Sequence, residues 1–311
     1  MLTYLIRRVL ILIPVWLGII TLTFLMRAVV PGDPVENMFF GKGGDPKVIQ
    51  NIRVEMGLDK PLYEQYIKYI LDVSHGDLGK SILTRRPVID EIGDRYLKTI
   101  TLAFSSLVVA LVVGLALGIL AALFKDSIID TGTTILALVG LSMPAFWLGL
   151  LFINLFAVQL RWIPLIGPPD FAHLILPSLT LGLIYAAVLM RLVRSSLLEV
   201  LNQDYIRTAR SKGLATRLVM VRHALKNALI PVVTILGLQF GALLGGAFVV
   251  ENVFVWPGVG QLIVNAINQR DFPIIQGIVL LVATTYVLVN LAVDLLYHLL
   301  DPRINAGKGA H

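Results

Sequence analysis

Long stretches without any charged side chain alternate with short charged segments along most of this chain. Six of these stretches are 18 to 30 residues long. A helix needs about 20 apolar residues to cross the hydrocarbon core of a bilayer, and a 30-residue stretch is too short to cross twice. Each stretch therefore predicts one membrane-spanning helix. The six stretches are 9–26, 99–124, 131–160, 171–190, 227–250 and 272–293.

Two uncharged stretches need separate interpretation. Residues 252–269 are uncharged over 18 positions but carry Asn, Gln, Gly and Pro, which indicates a surface or re-entrant segment. The stretch 9–26 follows two arginines, as a signal peptide would, but its apolar run is long and a Pro-Gly-Asp-Pro run follows it. We therefore expect an uncleaved anchor helix. A closed β-barrel is excluded because its strands alternate apolar and polar residues.

The composition agrees with an all-α membrane protein of six transmembrane helices. Apolar residues make up 57% of the 311 positions and charged residues only 15%, whereas soluble domains carry about 25% charged residues. This excludes a soluble enzyme, a disordered protein and a nucleic-acid-binding module. Cysteine is absent, so the sequence offers no disulfide and no thiolate ligand, and the five histidines form no metal-binding motif.

The distribution of basic residues predicts the orientation. With both termini in the cytoplasm, the cytoplasmic segments carry 13 Lys and Arg residues and the short external loops carry two. Such an asymmetry is typical of cytoplasmic loops. We predict four parts: an anchor helix at 1–30, an external cap at 31–94, a transmembrane domain of five helices at 95–300, and a cytoplasmic tail at 301–311.

The cytoplasmic segment at 199–230 has the pattern of two short helices joined at a glycine. Asp204 is expected to cap a helix at 205–212, and Gly213 to end it. Thr216 is a candidate cap for a second helix, whose apolar stripe would be Leu218, Val221, Leu225 and Leu229. This stiff, cationic element would suit docking into a groove of another protein. The alternative is a solvated basic turn beside anionic lipid.

The same segment resembles a known family. Residues 204–214, Asp-Tyr-Ile-Arg-Thr-Ala-Arg-Ser-Lys-Gly-Leu, and 222–231, Arg-His-Ala-Leu-Lys-Asn-Ala-Leu-Ile-Pro, resemble the coupling loop of bacterial ABC importer permeases of the dipeptide, oligopeptide, glutathione and nickel subgroup. The resemblance extends over essentially the whole chain. It implies that the residues contacting the ATPase are Asp204, Tyr205, Arg207, Thr208, Ala209, Lys212, Gly213 and Leu214.

The resemblance implies the type I ABC importer transmembrane fold and a set of partners. These are a homologous second permease forming a heterodimer, two cytoplasmic ATPase subunits that bind ATP and Mg²⁺, an extracytoplasmic substrate-binding protein, and the lipid bilayer. The chain would be half of a peptide pathway in a bacterial or archaeal cytoplasmic membrane. Where the general motif of such permeases has Glu-Ala-Ala, this chain has Arg207, Thr208 and Ala209.

A nucleotide site within the chain is not expected. Residues 76–81, Gly-Asp-Leu-Gly-Lys-Ser, resemble the end of a phosphate-binding loop, but Ser74 stands where that motif needs its first glycine. The chain is therefore predicted to be a transport subunit with no cofactor of its own and not an enzyme.

Polar and small residues within the stretches suggest the pathway and the packing. Amides and hydroxyls in lipid should face protein or water, and interhelical hydrogen bonding is their alternative role. The candidates for the pathway are Gln239, Asn154, Asn290 and Tyr185. Glycines at four-residue spacing allow helices to approach closely. The candidates for packing are Gly114, Gly118, Gly237, Gly241 and Gly245.

Two other functions compete with an importer. An intramembrane protease could use a Gly-Leu-Ser run at 140–142, but the second glycine of that motif is missing and Pro144 indicates a helix break instead. A stand-alone secondary transporter or channel predicts internal repeats and ion sites near the midplane. The sequence contains no recognisable repeat and no charge within the six stretches.

Overall fold

The regular structure of this chain is helical. The computed structural model describes residues 2–29, 45–55, 57–164, 170–215 and 218–300. In these ranges the helices are joined by short turns, and one isolated antiparallel bridge pairs Lys80 with Pro87.

The helices are numbered in chain order. They are α1 Leu2–Val29, α2 Pro46–Glu55, α3 Leu62–Ser74, α4 Val88–Leu123, α5 Ile128–Ser142, α6 Ala145–Phe152, α7 Phe171–Leu201, α8 Asp204–Ser211, α9 Lys226–Ala228, α10 Ile230–Gly246, α11 Phe248–Val253, α12 Val259–Gln269 and α13 Phe272–Leu300. Two π-helices, π1 Ile153–Gln159 and π2 Val219–Leu225, follow α6 and precede α9.

The long helices coincide with the predicted apolar stretches. Three of them, α4, α7 and residues Phe272–Val293 of α13, are long and apolar enough to cross a membrane. Two bent helix pairs also qualify if each pair is one span, and α1 contributes the shorter apolar segment Ile13–Met26. The described residues thus support three spans, or up to five if each bent pair is one span, and the count of six stays a prediction.

The bend in the third stretch arises at a proline. Helices Ile128–Ser142 and Ala145–Gln159 meet at 105°, where the sequence predicted a single stretch. Met143 is extended, at φ −81° and ψ 128°, as the residue before a proline prefers, and Pro144 then begins the next helix. The sequence indicated the helix break at Pro144 but not its angle.

The chain folds into two compact units, each with its own core. The first consists of Met1–Thr99 and Pro257–Val287. Its main cluster joins the first turns of α4 to α12 and α13 through Val88, Ile92, Leu262 and Ile278. A turn is tied to the same unit by Asp271, which accepts hydrogen bonds from Ser81 Oγ at 2.5 Å and from the Ile82 amide at 3.2 Å.

The second unit consists of Ile100–Trp256 and Leu288–His311, and α4 and α7 approach closely within it. Glycines on α4 let this contact close. A Cβ on Gly114 would lie 2.7 Å from the Leu189 Cβ, and one on Gly118 would lie 2.7 Å from the Val193 Cβ. Real Cβ atoms essentially never approach that closely, so these two positions require glycine for the observed spacing.

A buried ion pair joins α5 to α7 in the second unit. Arg194 Nε lies 2.6 Å from Asp130 Oδ1, and its Nη2 lies 2.7 Å from Oδ2. The Asp126 amide donates to the same carboxylate at 3.0 Å. The Asp130 side chain is 7% exposed and that of Arg194 is 29% exposed. This bidentate geometry fixes α7 five residues before the hairpin at 199–230 begins.

Candidate functional site

The hairpin at 199–230 begins with the short helix α8. Gln203 is its N-cap, with φ −73° and ψ 149°, and Asp204 is already in the first helical turn. The prediction that Asp204 caps this helix is therefore wrong by one residue. Its carboxylate still lies at the positive end of the helix dipole, where an acidic residue is favourable.

One face of α8 is buried against the rest of the hairpin. Ile206 is fully buried and Ala209 is 7% exposed. Both belong to an apolar cluster contributed by α4, α7, α8, π2 and α9, whose buried members are Ala122, Leu197, Ile206, Ala209, Val219, Ala224 and Ala228. A charged substitution at Ala209 would therefore disturb the packing of the hairpin as well as any contact with a partner.

Gly213 ends α8 in a left-handed conformation. Its φ is +76°, and its amide donates to the Arg210 carbonyl at 3.0 Å. A Cβ added here would meet nothing within 4 Å, so the backbone conformation and not space requires the glycine. The structure agrees with the sequence at this residue, with Lys212 as the C-cap.

The second arm of the hairpin is a π-helix, which changes its buried face. Val219, Ala224 and Ala228 are buried, whereas Leu218 is 42% exposed and Val221 58% exposed. The predicted apolar stripe is therefore wrong for Leu218 and Val221. A π-helix bonds each residue to the fifth one on and so adds a residue to the turn, which shifts the buried face away from the α-helical stripe. Thr216, the predicted cap of this arm, lies outside the described residues.

A polar contact that the sequence did not predict joins the two arms. Asn227 Nδ2 donates to the Tyr205 hydroxyl at 2.9 Å and to the His223 carbonyl at 3.2 Å. Asn227 and Tyr205 are 22 positions apart, and only the fold of the hairpin reveals the pairing.

The outer surface of the hairpin is cationic. Exposed side chains on it include Arg207, Arg210, Lys212, Arg222 and Lys226. Arg207 approaches Asp204 at 3.8 Å, but both are strongly exposed, so water screens this pair. An open groove with an apolar floor lies beside these cations and is lined by Ala215, Leu218, Val221, Arg222 and Lys226. The hairpin thus exposes apolar and positive groups on one side and packs its other side against α4 and α7.

The pathway candidates fall into different environments in the second unit. Gln239 on α10 is 7% exposed, and its Nε2 lies 3.5 Å from the Tyr185 carbonyl of α7. Its Oε1, and Oδ1 of Asn290, are buried without a hydrogen-bond partner among the described residues. Asn154 is exposed on π1. The structure thus brings Gln239 and Tyr185 together, and Asn154 lies apart on the surface.

The glycine candidates on α10 also differ from one another. A Cβ on Gly237 would lie 2.2 Å from Val293 Cγ2, so this position also requires a residue without a side chain. Gly241 is buried and Gly245 is exposed.

The phosphate-loop-like run at 76–81 serves the fold. Gly76 and Gly79 adopt φ values of +81° and +78°, and Ser81 donates its hydroxyl to Asp271. The Ser81 hydroxyl and the Ile82 amide are thus both bonded to the carboxylate of Asp271.

A bundle of apolar helices that carries a rigid cationic hairpin defines the class of membrane permeases that depend on another subunit. Comparison with known families places the chain in this class. Residues 114–306 match the family described as binding-protein-dependent transport system inner membrane component. Residues 1–103 match the N-terminal domain that accompanies it. The chain belongs to this family.

Individual relatives agree with the family. The glutathione transport system permease protein GsiC of Escherichia coli O6:H1 is 47% identical over 304 residues, which cover 98% of this chain and 99% of the relative. The protein of the same name from Salmonella paratyphi A is 46% identical over the same shares.

Solved structures show the same fold. A chain of the inward-facing MetNI methionine ABC transporter superposes with a TM-score of 0.56 at 20% identity, covering 68% of this chain and 96% of that one. A chain of an amino acid ABC transporter crystallised with histidines gives 0.52 at 16% identity, covering 69% and 94%. These identities are too low to inform on the substrate.

These findings confirm the predicted fold class and role. The chain is a multi-pass inner-membrane permease subunit of an ABC importer, and ATP is bound by separate ATPase subunits. It acts in a complex with the ATPase and a substrate-binding protein.

Proposed function

We propose that this chain forms half of a pathway for peptides of the size of glutathione, together with a homologous second permease. Relatives 46–47% identical over nearly their full length are glutathione transport permeases, and this supports the substrate class. Both termini lie in the cytoplasm in this proposal, as the basic residues predict. Two ATPase subunits bind from the cytoplasm, and the external receptor delivers the peptide.

The hairpin at 199–230 couples ATP hydrolysis to movement of the helices. The observation that carries this role is its two-sided construction: a continuous apolar cluster fixes one face to α4 and α7, and the other face exposes five cations beside an apolar groove. A stiff element transmits a displacement that a mobile loop would absorb. The Asp130–Arg194 pair holds the helix that leads into it.

Charge reversal on the exposed face tests this coupling. We expect Arg207→Glu with Arg210→Glu to lower ATP-driven uptake about tenfold or more, because both cations face a partner and neither stabilises the buried cluster. The measurement is uptake of radiolabelled glutathione by the purified complex in proteoliposomes. Lys125→Glu, an exposed cation outside the hairpin, is the matched control. Uptake at the wild-type rate by the double variant would contradict the role.

The same proteoliposomes test the substrate class. With its own receptor present, the complex should take up glutathione or a dipeptide only when ATP is supplied on the side of the membrane that carries the ATPase subunits. Uptake of neither peptide by a complex that hydrolyses ATP normally would reject the substrate class and leave the coupling role intact.

The pathway passes Gln239 in this proposal. Its amide orientation is fixed, because only Nε2 can donate to the Tyr185 carbonyl, and this leaves Oε1 as a buried acceptor. A passing peptide N–H is a suitable donor for that oxygen. Gln239→Leu should therefore raise the KM for peptide uptake more than it lowers the maximal ATP hydrolysis rate. Equal changes in both quantities would indicate a packing role.

A further inference from the structure

Helix α3, in the segment between the first two predicted spans, has an apolar arc wider than its contact with α1 requires. At 100° per residue, its apolar positions, which include the 60% exposed Leu62, fall within one arc of about 200° that also contains Ser74. One half of the arc packs against α1 and consists of Tyr66, Tyr69, Ile70 and Val73. The other half consists of Tyr63, Ile67 and Leu71. The remaining surface carries Glu64, Gln65, Lys68 and Asp72.

The contact with α1 is specific. The Tyr66 hydroxyl and Thr21 Oγ1 are 2.6 Å apart, and the Tyr69 hydroxyl lies 3.4 Å from Thr23 Oγ1. The rings of Tyr66 and Tyr69 lie 5.2 Å and 6.1 Å from that of Phe24. Hydrogen bonds and aromatic contacts therefore fix both the position and the rotation of α3 on α1.

This contact sets the depth of α3. The α1 residues that it touches run from Trp16 to Phe24, within the apolar stretch 9–26. At 1.5 Å per residue, all of them lie within about 15 Å of the end of that stretch, which is half the hydrocarbon thickness. Helix α3 thus lies beside the half of the span nearest the 31–94 segment.

The uncovered half of the arc is exposed. Tyr63 is 65% exposed, and Ile67 and Leu71 are each 54% exposed. On α1, outside its contact with α3, Leu22 and Leu25 are 64% and 47% exposed. Both α1 and α3 thus expose apolar side chains.

We propose that α3 is an interfacial helix, with Tyr63, Ile67 and Leu71 inserted among the acyl chains of the leaflet at that end of α1. The polar arc then faces headgroups and water, as in helices that lie in the plane of a membrane. Lipid is the occupant because α3 packs beside the apolar stretch of α1, so its exposed arc lies at the depth of the acyl chains. Tyrosine, present three times on α3, is also enriched at this depth. The proposal goes beyond the proposed function and needs only that α1 spans the bilayer.

Site-directed spin labelling tests the proposal, and the chain has no cysteine to remove first. The full complex carrying Ile67→Cys is labelled and placed in nanodiscs of phosphatidylethanolamine and phosphatidylglycerol. We expect the label to collide with oxygen, which concentrates in lipid, and to be shielded from a water-soluble nickel chelate. Lys68→Cys, one residue away on the polar arc, should show the reverse order. Leu22→Cys gives the reference for a lipid-facing position.

Two outcomes would overturn the proposal. If a spin label at position 67 collides with the nickel chelate as often as a label at position 68, then α3 lies in water. A label at 67 shielded from both reagents would mean that a protein partner covers the arc. Leu71→Cys repeats the test if the first variant does not assemble. Peptide uptake by the same labelled complex is measured separately, so failure of transport and failure of the lipid contact are distinguishable.

Discussion

Gly213 is the residue on which the turn of the hairpin depends most directly. Because its φ is +76° and a Cβ there would meet nothing within 4 Å, the effect of a substitution is conformational. We expect Gly213→Ala to destabilise the turn by about 1 kcal/mol and to slow peptide uptake, whereas Gly213→Asn should be close to wild type. The measurement is the initial uptake rate. Equal losses in both variants would show that side-chain size at an interface, and not φ, controls this position.

The pair of Asp130 and Arg194 offers a second test at the residue scale. Two hydrogen bonds of 2.6 and 2.7 Å join these side chains, so removing either one leaves a charge without its partner. A double-mutant cycle with Asp130→Ala and Arg194→Ala should give a coupling free energy of about 1.5–3 kcal/mol. Thermal unfolding of the detergent-solubilised chain supplies the four stabilities.

Arg194→Lys is the control for geometry in that cycle. Lysine keeps the charge but cannot form the two-pronged contact, so it should recover only part of the lost stability. Additive effects of the two alanine variants would contradict a direct contribution of the pair.

At the scale of elements, the contact of α4 with α7 depends on glycines of both helices, Gly114 and Gly118 on α4 and Gly182 on α7. A Cβ on Gly118 would lie 2.7 Å from Val193 Cβ and 2.8 Å from the Met190 carbonyl oxygen, and backbone cannot move aside cheaply. Gly118→Leu should therefore destabilise the helical domain by about 1–3 kcal/mol or more, as overpacked cores do. Gly132→Leu on α5, where a Cβ meets nothing within 4 Å, should be close to neutral.

The thermal midpoint of the detergent-solubilised chain distinguishes these two glycine variants. If both lower it equally, the loss comes from adding a large side chain to these helices generally and not from the approach of α4 to α7.

In the second arm of the hairpin, a π-helix buries different residues from those that the apolar pattern predicted for an α-helix. The stripe Leu218, Val221, Leu225 and Leu229 assumes an α-helix, but residues 219–225 form a π-helix, so Val219 and Ala224 become neighbours on the buried face. Leu218 and Val221 are left on the surface, where they line the groove. Leu218 and Val221, which the sequence assigned to the interior, thus become part of the exposed surface.

At the scale of the whole molecule, the cationic hairpin makes assembly sensitive to salt. Exposed charges interact across water and are screened within about 10 Å at 0.1 M ionic strength. We expect the ATPase subunits to dissociate from the purified complex more readily as salt rises. With Arg207→Ala and Arg210→Ala, binding should be weaker and less salt-dependent. Gel filtration over a series of NaCl concentrations measures both, and an unchanged salt dependence in the double variant would contradict the electrostatic contribution.

The sequence alone determined the features that depend on neighbouring residues. Apolar stretches long enough for a bilayer predicted where the long apolar helices lie, because lipid requires every backbone group to be bonded within its own helix. A glycine between two short helical patterns predicted the turn at Gly213, because few other residues adopt a positive φ. The motif around 204–214 gave the family, which the comparisons confirm.

Only the tertiary structure decided the features that depend on distant residues. Asp130 meets Arg194 across 64 positions, and Ser81 meets Asp271 across 190. No local pattern reports such a distance, because these contacts arise when whole helices pack. The same holds for the 105° bend at Pro144, since a proline marks a break but neighbouring helices set its angle. The surplus apolar arc of α3 also becomes visible only after its contact with α1 is known.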